Sequence, residues 1–275
     1  MKKLKRSARI VDMTRKLLEN PHTLISLTQF ADEYASAKSS ISEDLAIIKE
    51  VFEEQGVGFL RTVAGAAGGV IYIPYIDIVH ARRFMESVIE MLSDPNRLLS
   101  GGYLYMSDLL GDPKKLGMIG KLFASVFYER EIDYVMTVET KGIPLAYAVA
   151  NQLQVPVIIV RRDSQVTEGS VVTINYVSGS SKRIQTMSLG RRSMPEQSKV
   201  LIIDDFMKAG GTIRGMIDLL NEFNAEVAGI GVLVEATSTE ERLVDRYLSL
   251  AELTAVDPRE KKIEIRLGNY FQNHT

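Results

Sequence analysis

The sequence predicts a two-domain α/β chain. Residues 1–75 read as a small helical domain closed by a β-hairpin, and residues 76–275 as an α/β domain with a mainly parallel central sheet. Three observations predict this. Three amphipathic stretches precede two short strands joined by a glycine-rich turn. Beyond residue 75, buried-strand patterns alternate with helical ones, the order of βα units. Hydrophobic residues make up 45% and charged residues 25% of 275, which is enough apolar material for two packed cores.

In chain order, residues 7–19 place Ile10, Val11, Met13, Leu17 and Leu18 at helical spacing, and Asn20-Pro21 stops that helix. Residues 27–34 read as a short second helix with Ser26 as N-cap. A third helix, about 39–55, has Ile41, Leu45, Ile48, Val51 and Phe52 as its expected inner face, with Lys38, Ser39, Ser40, Ser42 and Glu43 at its outer N-terminal end. Strands at 58–63 and 70–73 flank the turn 64–69, whose glycines permit positive φ. That glycine run lies between two strands rather than between a strand and a helix, so it is not a phosphate loop.

Three helices and a hairpin in this order match a winged helix-turn-helix, in which the helix after the turn enters the major groove of DNA. Residues 1–16 hold seven cations and one anion, net +6 in a chain whose total is −2. Lys2, Lys3, Lys5, Arg6 and Arg9 are therefore candidate phosphate contacts, with Lys38, Ser39, Ser40 and Ser42 on the third helix and Arg61 on the wing. A solvated basic terminus on a helical protein-interaction module fits the same pattern.

Beyond residue 75, helices are expected at 76–92, 113–129, 144–153 and 212–223. Strands are expected at 132–138, 155–160, 171–177, 184–189, 199–203 and 227–234, with shorter ones near 249–256 and 262–267. The most specific signal is Val200-Leu201-Ile202-Ile203-Asp204-Asp205-Phe206-Met207-Lys208-Ala209-Gly210-Gly211-Thr212. Four apolar residues lead into two acids, then a loop with two glycines, then a Thr able to cap the next helix. Loop N–H groups and a helix N-terminus form an anion cradle, and paired carboxylates accept hydrogen bonds from sugar hydroxyls. A sugar phosphate satisfies both halves. Upstream, Glu139-Thr140-Lys141-Gly142 ends another strand, and its Lys and Gly suit a diphosphate.

The run 200–212 resembles the phosphoribosyl-pyrophosphate (PRPP) signature of type I phosphoribosyltransferases. One departure is that Lys208-Ala209 stands where that family often has Ala-Thr. With the N-terminal pattern, the whole chain resembles the purine operon repressors of Gram-positive bacteria. The resemblance implies a dimeric cytoplasmic repressor of purine genes that binds a double-stranded operator. Its phosphoribosyltransferase fold serves as a sensor, and PRPP weakens DNA binding. It implies that Asp204 and Asp205 hold the ribose, Lys208, Ala209, Gly210, Gly211 and Thr212 the 5′-phosphate, and Thr140, Lys141 and Gly142 the pyrophosphate. Mg²⁺ would bridge ligand oxygens with no direct protein ligand and no catalytic cofactor. Purine nucleotides are candidate competitors, with Phe206 as a stacking surface; a core role fits Phe206 too. The alternative is an active purine phosphoribosyltransferase with an N-terminal extension.

Other chemistry is excluded or weak. With no cysteine there are no disulfides or thiolate sites, as in a reducing compartment. No apolar run approaches the ~20 residues needed to span a bilayer, so no membrane partner is expected. His22, His80 and His274 lack metal-ligand spacing. Arg161-Arg162-Asp163 is either cleft lining or a solvated turn, and Lys182 and Arg183 fall in a hairpin able to close over a ligand.

Overall fold

A computed structural model describes residues 4–65, 68–99, 103–162, 169–177, 184–237, 241–257, 260 and 262–272. The chain divides into two compact units, residues 1–77 with 152–154, and residues 78–151 with 155–275.

The first unit contains α1 (Arg6–Glu19), β1 (Leu24–Ser26), α2 (Leu27–Glu33), α3 (Lys38–Glu54), β2 (Gly58–Val63) and β3 (Gly69–Pro74). The strands form one antiparallel sheet in the order β1-β3-β2. Ser26 caps α2, its hydroxyl accepting from Gln29 N–H at 3.0 Å. The core joins all three helices to the sheet through Met13, Leu17, Phe30, Ile41, Ile48 and Tyr72. β1 escaped the sequence reading because three residues carry no usable periodicity; pairing with β3 is what makes them a strand.

Four sequence expectations fail here. Val11 and Leu18 on α1 and Val51 on α3 are exposed, because each lies off the stripe that meets the core. Arg9, expected among the DNA contacts, turns inward and is 7% exposed. It shares the α1 face of Met13 and Leu17, and its guanidinium meets the fully buried Asp44 carboxylate of α3 at 2.6 Å. A buried carboxylate requires a counter-charge, and Arg9 supplies it. Arg6 joins the same carboxylate at 2.9 Å while remaining half-exposed.

The second unit contains α4 (Ile78–Leu92), β4 (Leu98–Leu99), β5 (Tyr103–Leu104), α5 (Ser107–Gly111), α6 (Pro113–Phe127), β6 (Tyr134–Val138), α7 (Gly142–Leu153) and β7 (Val157–Val160). It continues with β8 (Val171–Val177), β9 (Ile184–Gly190), β10 (Lys199–Met207), α8 (Gly211–Glu222), β11 (Glu226–Ala236), β12 (Leu248–Asp257), β13 (Lys262–Leu267) and α9 (Asn269–Gln272). The six-stranded sheet runs β13-β12-β11-β10-β6-β7, parallel throughout except for the β12–β13 pair. Val200, Leu201, Ile202 and Ile203 are each 0% exposed, because a parallel strand at the centre is covered on both faces. β8 and β9 form a separate hairpin. No helix among the described residues is long and apolar enough to cross a membrane.

Two details of the central motif differ from expectation. β10 does not stop at Ile203. It keeps pairing with β11 through Asp204↔Val232, Phe206↔Val234 and Met207↔Glu235, so the acids sit within the strand. Its pairing with β6 ends at Ile202↔Met136, and the acids begin where that neighbour leaves off. Thr212 is not the cap of α8. Gly210 holds the N-cap position at φ +87°, a left-handed conformation that favours glycine, and the helix begins at Gly211.

Candidate functional site

The carboxyl ends of β6 and β10 open onto one cleft, the place where parallel sheets bind ligands. On one side it is lined by Lys141, Asp204, Asp205, Phe206 and the loop Lys208–Thr212; on the other by Glu139, Thr140, Arg162 and again the two acids. Asp204, Asp205 and Lys141 border both sides, so residues about 60 positions apart in sequence meet around one carboxylate pair. Lys182, Arg183 and Asp163 lie outside the described residues, as do Lys2, Lys3 and His274.

Asp204 is 5% exposed, and its Oδ1 accepts from the Asp205 N–H at 3.0 Å. Among the described residues no Lys or Arg pairs with either acid within ion-pair distance. Burial first, and the charge of Asp205 second, push the Asp204 carboxyl well above the usual carboxylate range. Burial also raises Asp205, against the pull of Lys141. These are costly carboxylates with strong acceptor atoms and, among the described residues, no cation seated on them.

The loop after β10 is formed by exposed Lys208, buried Ala209, Gly210 and Gly211, and partly buried Thr212. It runs straight into the first turn of α8, so backbone N–H groups and the positive end of the helix dipole converge there. On the other side, the Glu139–Thr140 peptide is cis. Glu139 accepts from Arg162 N–H at 2.7 Å and lies 3.5 Å from the Arg161 guanidinium, tying this loop to the end of β7. Thr140 and Lys141 are exposed, whereas Gly142 is buried. A Cβ at Gly142 would run into Thr137 Oγ1 and stand 3.4 Å from Asp204 Oδ1, so glycine lets α7 start against the carboxylate pair.

Phe206 is half-buried and lines the cleft instead of joining the core. Tyr103, Leu104 and Met106 line it as well, and the sequence reading missed them. A signal existed: Leu98-Leu99 and Tyr103-Leu104 flank Ser100-Gly101-Gly102, two apolar pairs around a turn composition.

In the N-terminal unit, Lys38, Ser39 and Ser42 are exposed at the first turns of α3, and Ser40 is partly so. Lys38 and Ser42 line a groove with Lys49 of α3, Thr28 of α2, and Thr62 and Gly65 of the β2–β3 wing. Lys49 and Thr28 were not singled out from sequence. Lys5 and Arg61 are exposed, Arg61 outside that groove.

Comparison with known proteins agrees with this division. The bacterial purine repressor N-terminal family matches residues 5–74, and the phosphoribosyl transferase domain family matches residues 111–261. The chain is 63% identical over 270 residues to the purine biosynthesis transcriptional repressor PurR of Bacillus subtilis, covering 98% of this chain and 95% of that one. It is 45% identical over 270 residues to the purine biosynthesis transcriptional activator PurR of Lactococcus lactis subsp. lactis, covering 98% and 100%. It is also 32% identical over 182 residues to the xanthine phosphoribosyltransferase of Bacillus mycoides, covering 63% and 92%. The chain belongs to the PurR family of purine biosynthesis regulators, a purine-repressor N-terminal domain followed by a phosphoribosyl transferase domain.

Proposed function

We propose that this protein is a DNA-binding transcriptional repressor of purine biosynthesis genes and that its C-terminal unit senses PRPP. The regulator reading is supported by likeness to the Bacillus subtilis repressor along nearly the whole chain. The sensor reading is carried by one observation: buried Asp204 and partly buried Asp205, with no Lys or Arg at ion-pair distance among the described residues, lie between the Lys208–Thr212 loop and a lysine-bearing loop. A ribose with phosphate at one end and pyrophosphate at the other matches all three. Asp204 and Asp205 accept from the ribose hydroxyls. Residues 208–212 take the 5′-phosphate on backbone N–H groups, and Thr140, Lys141 and Gly142 take the pyrophosphate. Phe206 offers a stacking face to the base of a competing purine nucleotide.

Mg²⁺ accompanies PRPP in chemistry of this kind. Among the described residues no three His, Asp or Glu side chains converge on one point. The donor set fits an ion carried by ligand oxygens and water, with the Asp204–Asp205 carboxylates beside it. The chain works as a cytoplasmic homodimer on a double-stranded operator. Lys5 and Arg61, the exposed N-terminal turns of α3 and the wing supply the DNA surface.

Likeness to a xanthine phosphoribosyltransferase favours a second reading, a working transferase with an added N-terminal domain. One experiment separates them. Retention of DNA from upstream of purine genes is titrated with PRPP and Mg²⁺, and the same preparation is assayed for nucleotide formation with each free base. The repressor reading expects DNA release and no turnover near the ~10 s⁻¹ typical of enzymes. Turnover at that rate overturns it, and DNA retention indifferent to PRPP removes the sensor.

A further inference from the structure

Leu243 and Val244, beyond β11, lie behind the phosphate loop. Leu243 N–H donates to the Ala209 carbonyl at 3.0 Å. Val244, 6% exposed, sits against Gly210, where a Cβ would meet Val244 Cγ2 at 3.2 Å. Two consecutive residues thus back the two loop positions that lead into α8.

A buried carboxylate fixes that segment. Glu235 stands opposite Met207 in the β10–β11 register, one residue before the loop begins. Its Oε2 accepts from Tyr247 Oη at 2.6 Å and lies 2.8 Å from Arg242 Nη2. Its Oε1 accepts from Ser249 Oγ at 2.5 Å, and Ser249 is held in turn by Asn269 at the start of α9. The Arg242 guanidinium also lies over the Tyr247 ring at 5.4 Å. Residues 242 and 247 flank Leu243 and Val244, and both end on one carboxylate. A buried ion pair is a poor way to gain stability, since apolar residues of the same volume do as well or better. Its distinguishing property is fixed geometry.

We propose that Glu235, Arg242 and Tyr247 form a positioning clamp that sets the phosphate loop, so that the grip on the 5′-phosphate depends on it and the grip on pyrophosphate does not. This rests on the PRPP-sensor reading. None of the three lines the ligand cleft, so they act through Ala209 and Gly210.

The test is calorimetric titration of the full-length protein with PRPP and, separately, with pyrophosphate. Arg242→Met is expected to weaken PRPP about tenfold, the order of loss when the support of a preorganised site loosens, with pyrophosphate unchanged. Arg242→Lys is expected to recover most of it. Nη2 of Arg242 is ion-paired with Glu235 and donates to the Ala236 carbonyl, while Nη1 has no hydrogen-bond partner among the described residues, so a single ammonium can stand in. Arg242→Met strands the Glu235 charge and can prevent folding. Val244→Ala removes the backing of Gly210 without stranding a charge, and is expected to weaken PRPP alone, by roughly threefold. Unchanged PRPP affinity in the folded variants overturns the clamp, as does an equal loss for both probes, which signals general loosening. Wild-type protein that binds no PRPP brings down the sensor reading itself, and the clamp with it.

Discussion

Asp44 in the N-terminal unit and Asp204 in the C-terminal unit are both buried aspartates, 0% and 5% exposed. Asp44 is answered from within the fold: Arg9 and Arg6 reach its two oxygens at 2.6 and 2.9 Å, and Ser36 holds Arg9 from the other side. Asp204 has a second acid beside it and a backbone N–H, and no cation on it among the described residues. The first arrangement is complete without a ligand. The second spends folding energy to keep acceptor atoms unpaired, which suits the ligand role proposed for it, whereas the first is a structural joint. Glu235 belongs with Asp44 in being fully partnered, yet it stands behind the Lys208–Thr212 loop.

The largest effect that would sharpen this contrast is on stability. Asp44→Ala leaves Arg9 buried without its partner and is expected to cost about 3–5 kcal/mol. Denaturant unfolding should show the loss in the transition of the N-terminal unit. Asp204→Ala should show no comparable loss. Equal losses at both sites would dissolve the distinction.

The second effect is on binding. Replacing Asp204 and Asp205 together by Ala removes charged acceptors worth about 1.5–3 kcal/mol each. PRPP affinity should fall at least tenfold, since about 1.4 kcal/mol is a factor of ten. Operator binding without PRPP should survive, giving a repressor that PRPP fails to release, because coupling between sites is reciprocal. A folded double variant that no longer binds DNA would place the acids in the repressing state itself. A variant that still responds to PRPP would remove them from the sensor.

The two sites also differed in how far the sequence revealed them. Four apolar residues, two acids and a glycine loop are contiguous, and each property that makes them a site is local. The buried strand, the glycine loop and the acids could therefore be read directly from residues 200–212. The limits of that strand could not, because β11 pairing carries β10 through the acids to Met207. Arg9 was misread for the same kind of reason. A count of cations treats each as solvent-facing, and the residue that turns Arg9 inward lies 35 positions away. Glu235, Arg242 and Tyr247 were invisible, since nothing in the strand pattern of 226–236 marks one glutamate as the meeting point of a later loop. Long-range polar pairing was hidden from the sequence reading, whereas the Ser26 cap of α2 and the apolar run of β10 were not.

The third effect is on pH dependence. Burial raises the Asp204–Asp205 pair above the 3.8 of a free aspartate, so the folded protein binds protons more tightly than the unfolded chain. The stability the pair contributes is fully present below about pH 3.8 and is lost as pH rises through the raised values. Near neutrality the pair therefore weighs against folding. Asp204→Asn, which removes one charge from the pair, should raise the melting temperature near neutrality, and the gain should shrink as pH falls toward 3.8. Asp44→Asn should show no such gain at any pH, since it breaks a satisfied ion pair. A melting curve for Asp204→Asn that tracks the wild type at all pH values would mean the pair is solvated rather than held in readiness.

The smallest effect concerns the cations left over once Arg9 is assigned to the fold. Lys5 is exposed, Arg6 is half-exposed while sharing Asp44 with Arg9, and Lys2 and Lys3 precede them in sequence. If the arm meets DNA, each phosphate it neutralises adds about 0.9 to the slope of log affinity against log salt. Deleting residues 1–9 would confuse this measurement, because it would also strip Asp44 of both arginines. Replacing Lys2, Lys3 and Lys5 by Ala leaves the Arg9–Asp44 joint intact and isolates the arm. The slope should become shallower by up to about 0.9 for each phosphate the arm no longer neutralises, with the melting temperature of the N-terminal unit unchanged. An unchanged slope would confine the DNA surface to α3 and the wing. A shift in melting temperature would show that the arm, like Arg9, belongs to the structural joint and not to the binding face.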